Sequence, residues 1–391
     1  MTRASQRGCR LGARIAFTLL ACAALGGPTS IARADEASGT WTGQVELRAN
    51  YYWETSTRVV APEVRTRLVS PDGVQIDANY LLDAITSASV AAGVQEDIRF
   101  TEVRNQGTLA ISREFDLGEA QLRLGTSGRL SHEPDYFATA ITSYGALSLN
   151  QRNTVLALNL TYIHDDVGAV VRGGEPRVDS MGRDLSDRGR QGQLEGVTAG
   201  LSISQVLSPV ATLVVGYQLV HNFGFLQNPY RRASVNDNLQ PETHPDMRTR
   251  QAVYGRLAYF VPETMTAFHF MYRAYLDSWD IGAITPEVRI YQLIGPSVVL
   301  RLRYRHYNQT DSFFYADTYT GDETYFTADP KMSRFDSHLL GVQLRVGLSF
   351  LRGTPLEFAQ RAWVDMSFNY WLQTSRFGDG ILAQAGLRVP F

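Results

Sequence analysis

Cysteine is nearly absent from this chain: 391 residues hold two, Cys9 and Cys22, and both lie within the first 34. The rest of the chain therefore has no disulfide, thiolate metal site, cysteine nucleophile or thioether-linked haem. Lysine is rarer still. Lys331 is the single lysine among 37 cationic residues, so arginine carries the positive charge. No run of about 18 apolar residues exists, which excludes an ordinary transmembrane helix. Long stretches of 3.6-residue periodicity are missing, as are a glycine-rich phosphate loop and any zinc-ligand spacing. These absences point away from cofactor chemistry, and no cofactor or metal is expected.

What is present starts at the ends. Arg3, Arg7, Arg10 and Arg14 precede an apolar run from Ile15 to Leu25, and Ala32-Arg33-Ala34 follows as a small-x-small site. This is the pattern of a cleaved secretory signal over 1–34, leaving 35–391 as a single domain. Leu19-Leu20-Ala21-Cys22 offers a rival lipoprotein signal, with a shorter apolar core. Removing residues 1–34 takes away five arginines and no acid, so the formal net charge falls from −2 to −7. An exported acidic chain is a poor match for nucleic acid. At the other end, Ile381, Ala383, Ala385, Leu387, Val389 and Phe391 share one parity, with Gln384 and Gly386 on the other. This final strand looks like an outer-membrane barrel assembly signal, with Gln384, Gly386, Val389 and Phe391 as its marks. Pro390 has no N–H and should sit where the ladder needs none.

Between the ends, alternating segments recur at a length that crosses a bilayer when tilted. Sixteen are expected, near 41–53, 62–70, 74–82, 99–114, 119–130, 138–149, 153–164, 196–206, 210–221, 248–260, 265–276, 281–292, 297–309, 334–349, 356–373 and 381–391. Fourteen to eighteen would fit the same pattern. Short turns such as Pro71-Asp72-Gly73 and Ile294-Gly295-Pro296 follow even strands, while long loops over 83–98, 165–195, 222–247 and 310–333 follow odd ones. Short turns on one rim and long loops on the other are the asymmetry of an all-β, up-and-down antiparallel outer-membrane barrel. Two soluble β-sandwiches are the alternative fold. They do not account for the aromatic clusters at strand ends, such as Tyr51-Tyr52-Trp53 and Tyr370-Trp371, which suit membrane interfaces.

Parity separates a lipid face from a lumen face. An arginine facing lipid at mid-bilayer costs about 2–4 kcal/mol, so the charged parity belongs inside. The expected lining is Arg123, Arg256, Arg273, Arg289, Arg301, Arg303, Arg305, Arg345 and Arg361, against Asp77, Glu287 and Asp365. Such an excess of arginine attracts anions. Cross-strand ion pairing that rigidifies the wall and conducts nothing is the bland alternative. The loops over 165–195 and 310–333 are rich in acids and aromatics without regular calcium-loop spacing, which reads as solvated loop. His164-Asp165-Asp166 is the only juxtaposition that hints at catalysis, and an ordinary strand exit explains it; no catalytic residue is assigned.

Several segments carry a family resemblance: Phe225-Leu226-Gln227-Asn228-Pro229-Tyr230-Arg231, Asp277-Ser278-Trp279-Asp280-Ile281, Phe313-Phe314-Tyr315 and Phe335-Asp336-Ser337-His338 among them. With these, the chain resembles a family of Gram-negative outer-membrane barrels catalogued as a domain of unknown function. The resemblance implies a barrel and no set activity. It also suggests a link to periplasmic redox or metal chemistry. The leading expectation is a monomeric pore or transporter for a small anionic solute, its mouth shaped by Asn228, Tyr230, Arg231, Trp279 and His338. A non-conducting scaffold that houses a periplasmic partner protein is the second expectation, and a barrel enzyme the third. Expected partners are outer-membrane lipid, lipopolysaccharide and the barrel-assembly machinery.

Overall fold

The structure is a computed structural model. It describes residues 39–391 except 56, 89–98, 135, 168–191 and 229–230. The expected signal over 1–34 lies outside the described residues. Sixteen strands form one closed antiparallel barrel: β1 Thr42–Glu54, β2 Thr57–Val69, β3 Val74–Ala88, β4 Arg99–Asp116, β5 Gln121–Glu133, β6 Tyr136–Leu149, β7 Thr154–Val167, β8 Gly192–Ser208 and β9 Ala211–Gly224, then β12 Met247–Val261, β13 Thr266–Asp277, β14 Gly282–Ile294, β15 Val298–Gln309, β16 Phe335–Gly347, β17 Trp363–Gln373 and β18 Gly380–Pro390. Each strand overlaps one expected from alternation. Two short strands, β10 Arg232–Val235 and β11 Asn238–Pro241, form a separate hairpin in the loop after β9. That hairpin was not foreseen. Its two-residue turn, Asn236-Asp237, has φ of 53° and 58°, the left-handed pair that asparagine and aspartate tolerate.

Alternation sorts the side chains. Leu109, Leu130, Ile141, Leu201, Val253, Tyr272 and Leu302 stand exposed on the outer face, while their strand neighbours point in. In a closed barrel such an apolar exterior belongs in lipid, with every backbone group paired around the ring. A long apolar core is not needed, because the membrane replaces it.

The expected fifteenth strand at 356–373 is corrected. β16 ends at Gly347 and β17 begins at Trp363. Residues 348–362 between them form two 3-10 turns, Ser349–Leu351 and Glu357–Ala359, on the short-turn rim. Arg361 lies in this connection and is exposed, so it does not sit on a lining strand.

Closure runs through β1 and β18, with Gln44 to Glu54 opposite Pro390 to Gly380. Gly43 and Phe391 exchange both backbone hydrogen bonds at 2.9 Å. Phe391 N–H therefore faces β1, and the nitrogen of Pro390 faces the other way, where β17 has not yet begun. Pro390 thus leaves no ladder bond unmade. Gln384 donates to Asn50 across the seam at 2.8 Å, and Gly386 leaves room for the Asp365 carboxylate. Deleting Phe391 removes the last hydrogen-bonded pair of the closing seam. Refolding into lipid vesicles, followed by the heat-modifiable gel shift of folded barrels, should be slowed at least several-fold. An unchanged rate would show that the seam closes without it.

Candidate functional site

The inner wall is not uniform. On the β1–β5 side most charges are zipped into pairs, while Arg129 of β5 has no acid in salt-bridge range among the described residues and a buried Nε without a partner. Glu46 holds Arg48 and, across the seam, Arg388 at 3.0 Å. Glu63 holds Arg65 at 2.7 Å, and Arg67 holds Asp77 at 2.6 Å. Asp83 pairs with Arg104, and Glu114 takes Arg123 at 3.1 Å and Arg152 at 2.6 Å. From β6 to β9 the inward parity is small or neutral, as in Ala140, Thr142, Thr161, Thr198, Gly200 and Ser202. Asp165 is the charged exception among the described residues, bonded to the Tyr136 hydroxyl.

The β12–β17 side differs. Arg248, Arg250, Arg256, Arg273, Arg289, Arg301, Arg303, Arg305 and Arg345 all fall on its inward parity, against Asp277, Glu287 and Asp365. Glu287 is saturated: Arg303 grips it through two bonds of 2.9 Å, and Arg289 takes one of the same oxygens. Glu287 stands opposite Arg305 in register, yet its carboxylate is committed elsewhere. Arg256, Arg273, Arg301, Arg305 and Arg345 have no acidic side chain within salt-bridge range among the described residues. The Nε atoms of Arg301 and Arg305 are buried without a hydrogen-bond partner. Arg305 instead lies 5.6 Å from the Trp371 ring centroid, and Arg273 lies 5.3 Å from that of Tyr275. Aromatic faces hold these guanidiniums in place and leave their charge uncompensated. Arg301 and Arg305 are four residues apart on one strand, about 13 Å along it.

Above this wall two loops, 225–246 and 310–334, fold onto each other. Strand bridges join Val235 to Tyr319 and Thr243 to Phe326. Ala233, Val235 and Tyr319 form a small apolar core with Phe326 and Ala328. The Tyr319 hydroxyl accepts from Thr327 N–H at 3.0 Å and Ala316 N–H at 2.9 Å, which pins the longer loop to itself. At the centre lies a buried charge cluster. Arg231 meets Asp329 at 2.8 Å and Glu242 at 3.6 Å. Glu242 also accepts from Thr327 Oγ1 at 2.9 Å and Asn228 N–H at 2.8 Å, with His244 Nε2 at 3.5 Å. Burial disfavours the Arg231 cation, but Asp329 and Glu242 outweigh it and hold the guanidinium above its ordinary pKa. Burial also works against both carboxylates, and Arg231 overrides it, so Glu242 and Asp329 sit below their ordinary values. Burial pulls Lys331 down to about 8, although Asp329 and Glu54 of β1 favour its charge.

This lobe rests on the barrel's outer end. Trp279 packs edge-on against His244 at 5.3 Å and Phe314 at 5.1 Å. Arg248, inward on β12, lies 4.1 Å from the Trp279 ring centroid and pairs with Asp277. Gln309 of β15 donates to the carbonyls of Lys331 at 2.8 Å and Ser333 at 2.7 Å. The lobe is thus anchored to inward wall residues at the long-loop end of the barrel.

Three of the five expected mouth residues, Asn228, Arg231 and Trp279, come together here. Tyr230 lies outside the described residues. His338 is corrected: it shares the outward parity of Leu340 and Val342, where the Tyr304 hydroxyl meets it at 2.9 Å and the His306 ring lies tilted against it at 4.8 Å. It belongs to the outer girdle. The acids Asp311, Asp317, Asp322 and Glu323 are exposed, as a solvated loop requires, whereas Asp329 is buried. Glu242 and His244 were not anticipated, because only the fold brings loops eighty residues apart into contact. The sequence did hold one signal, the lone Lys331. His164 and Asp165 point to opposite faces of β7, so they do not converge on one site.

Residues 95–387 match the family described as "Protein of unknown function (DUF3570)". The chain belongs to this family. The matched span takes in the free arginine wall and both loops of the lobe. A search of the curated proteins finds no match. Among solved structures, the chain is similar to the outer membrane protein OprD from Pseudomonas aeruginosa, at 8% identity and TM-score 0.42, covering 91% of this chain and 96% of that one. It is similar to a BenF-like porin from Pseudomonas fluorescens Pf-5, at 9% identity and TM-score 0.45, covering 90% and 98%. A bacterial polysaccharide outer membrane secretin matches at 8% identity and TM-score 0.47, covering 89% and 98%.

Proposed function

We propose that this barrel is an outer-membrane pore for small anionic solutes, which pass along the β12–β17 wall beneath the loop lobe. One observation carries the reading: most charges on the β1–β5 wall are paired, Arg129 apart, while five arginines of the β12–β17 wall, Arg256, Arg273, Arg301, Arg305 and Arg345, have no acid in range among the described residues. A paired wall is electrically quiet beyond a few ångströms. Unpaired guanidiniums in a wall of low dielectric set up a field that concentrates anions and repels cations. The planar guanidinium fork suits carboxylate and phosphate oxygens. Arg301 and Arg305 are themselves part-exposed, so the accessible edges of their guanidiniums supply donors that a passing oxyanion can engage and then leave, since each site alone is weak.

The lobe supplies the second half of the reading. Its buried charge cluster gives one preferred packing, which holds the mouth narrow and restricts passage to small solutes. Liposome swelling with the purified protein tests this. Small carboxylates should enter several-fold faster than neutral sugars of equal size. Equal rates would remove the role of the arginine wall.

A further inference from the structure

Seven strand-to-strand connections lie on the short-turn rim. Six of them are tight, as between β2 and β3 or β14 and β15, but residues 348–362 between β16 and β17 are fifteen residues long. They are also built. Leu348 N–H bonds to Ala362 C=O at 2.9 Å and closes the base. Leu351, Thr354, Glu357, Ala359 and Ala362 each donate a backbone bond three residues back. Arg352 Nε reaches Gln360 at 3.2 Å, and Ser349 joins Ser297 of the neighbouring turn at 2.7 Å. This rigid frame holds apolar side chains away from the protein: Phe350 is 67% exposed, Leu356 53% and Phe358 80%. Arg352 and Arg361 are exposed beside them, with Glu357 the one acid in the segment.

A rigid loop that spends its hydrogen bonds on presenting phenyl rings needs an apolar occupant. The strands that lead into it indicate which. Leu344 and Met366 face outward in the lipid belt. The apolar pattern runs unbroken from Leu344 and Val346 through Leu348 to Phe350; on the other side Met366 and Val364 lead to a buried Ala362, and Gln360 intervenes before Phe358. Phe391, 60% exposed, flanks the loop on the adjoining strand. The exposed rings therefore continue a surface that is already in lipid. Phenyl and leucyl groups with arginines at their edge match the boundary between acyl chains and lipid phosphates.

We infer that residues 348–362 form an interfacial anchor, with Phe350 and Phe358 inserted in the periplasmic leaflet and Arg352 and Arg361 on phospholipid phosphates. The anchor fixes the depth and tilt of the β16–β17 side, next to the seam that closes the barrel. A water-soluble partner protein or a second barrel seated on the same rings would leave them exposed in an isolated barrel.

Nitroxide accessibility separates these outcomes. In a Cys9→Ala/Cys22→Ala background, Phe350→Cys and Phe358→Cys are spin-labelled in turn, with Asp322→Cys of the outer loop as the aqueous reference. Each variant is first shown to be folded by its heat-modifiable gel shift. In nanodiscs of phosphatidylethanolamine and phosphatidylglycerol, the labels at 350 and 358 should collide with oxygen several-fold more, and with a water-soluble nickel chelate several-fold less, than the label at 322. Nickel collisions equal to those at 322 would overturn the anchor. Adding Arg352→Gln and Arg361→Gln should raise nickel collisions at 358 at least twofold; no change would overturn the phosphate contact.

Discussion

Replacing Arg301 and Arg305 together with glutamate should invert the ion selectivity of the pore. Both side chains lack an acidic partner, so each reversal changes the lumen charge by two units without breaking an ion pair. The neighbouring Arg303 is different. It is bound to Glu287 by two bonds of 2.9 Å, and its removal would free that carboxylate. In a potassium chloride gradient the reversal potential of the double variant should change sign relative to the parent. Arg303→Gln should shift it less and also weaken the wall. A double variant that keeps the parent's reversal potential would place the selectivity elsewhere.

The second large effect concerns the lobe. Arg231→Met leaves Glu242 and Asp329 buried near one another without their common cation. Removing one member of a buried ion cluster costs about 3–5 kcal/mol. That exceeds what a small apolar core of Ala233, Val235 and Tyr319 can offset. The two loops should separate while the barrel, whose ladder closes without them, stays folded. Protease should then cut within 225–246 and 310–334, and open-pore current should become larger and noisier. Acid should act in the same direction. Glu242 and Asp329 titrate below their unfolded values, so their contribution is complete above the ordinary carboxylate range and is lost as pH falls through their lowered folded values, below about pH 4. Lys331, with its pKa lowered to about 8 from 10.5, has the opposite sign: its own contribution improves as pH rises from 8 toward 10.5. Alkaline solution should therefore leave the lobe closed. Protease resistance unchanged by Arg231→Met would contradict this account of the mouth.

How much of this was legible in the sequence depends on the range of the interactions. A strand in lipid must alternate along its own length, so Leu302 and Tyr304 against Arg301, Arg303 and Arg305 can be read locally. The arginine excess is legible for the same reason, although its one-sided character needs the register that pairs Glu287 with Arg303 and Arg289. Local alternation also explains the two misplacements. Arg361 keeps the parity of β17 but precedes it, because Gly353 and Pro355 open a built loop where a tight turn was expected. His338 stands in a segment with a specific pattern, yet its parity is that of Leu340, which turns it to the outer face. The lobe was beyond such reading. Glu242 and Thr327 are 85 residues apart, and nothing short-range announces their bond. Asn228, Arg231 and Trp279 stood out as residue types, without the partners that explain them.

The central claim is that the β12–β17 wall makes the lumen an anion path, and the reversal potential of the unmodified protein tests it most directly. Purified barrel in a planar bilayer, with tenfold more potassium chloride on one side, should carry a stepwise current that reverses toward the chloride equilibrium potential. Reversal toward the potassium potential, or no current from protein shown to be folded, would contradict the account.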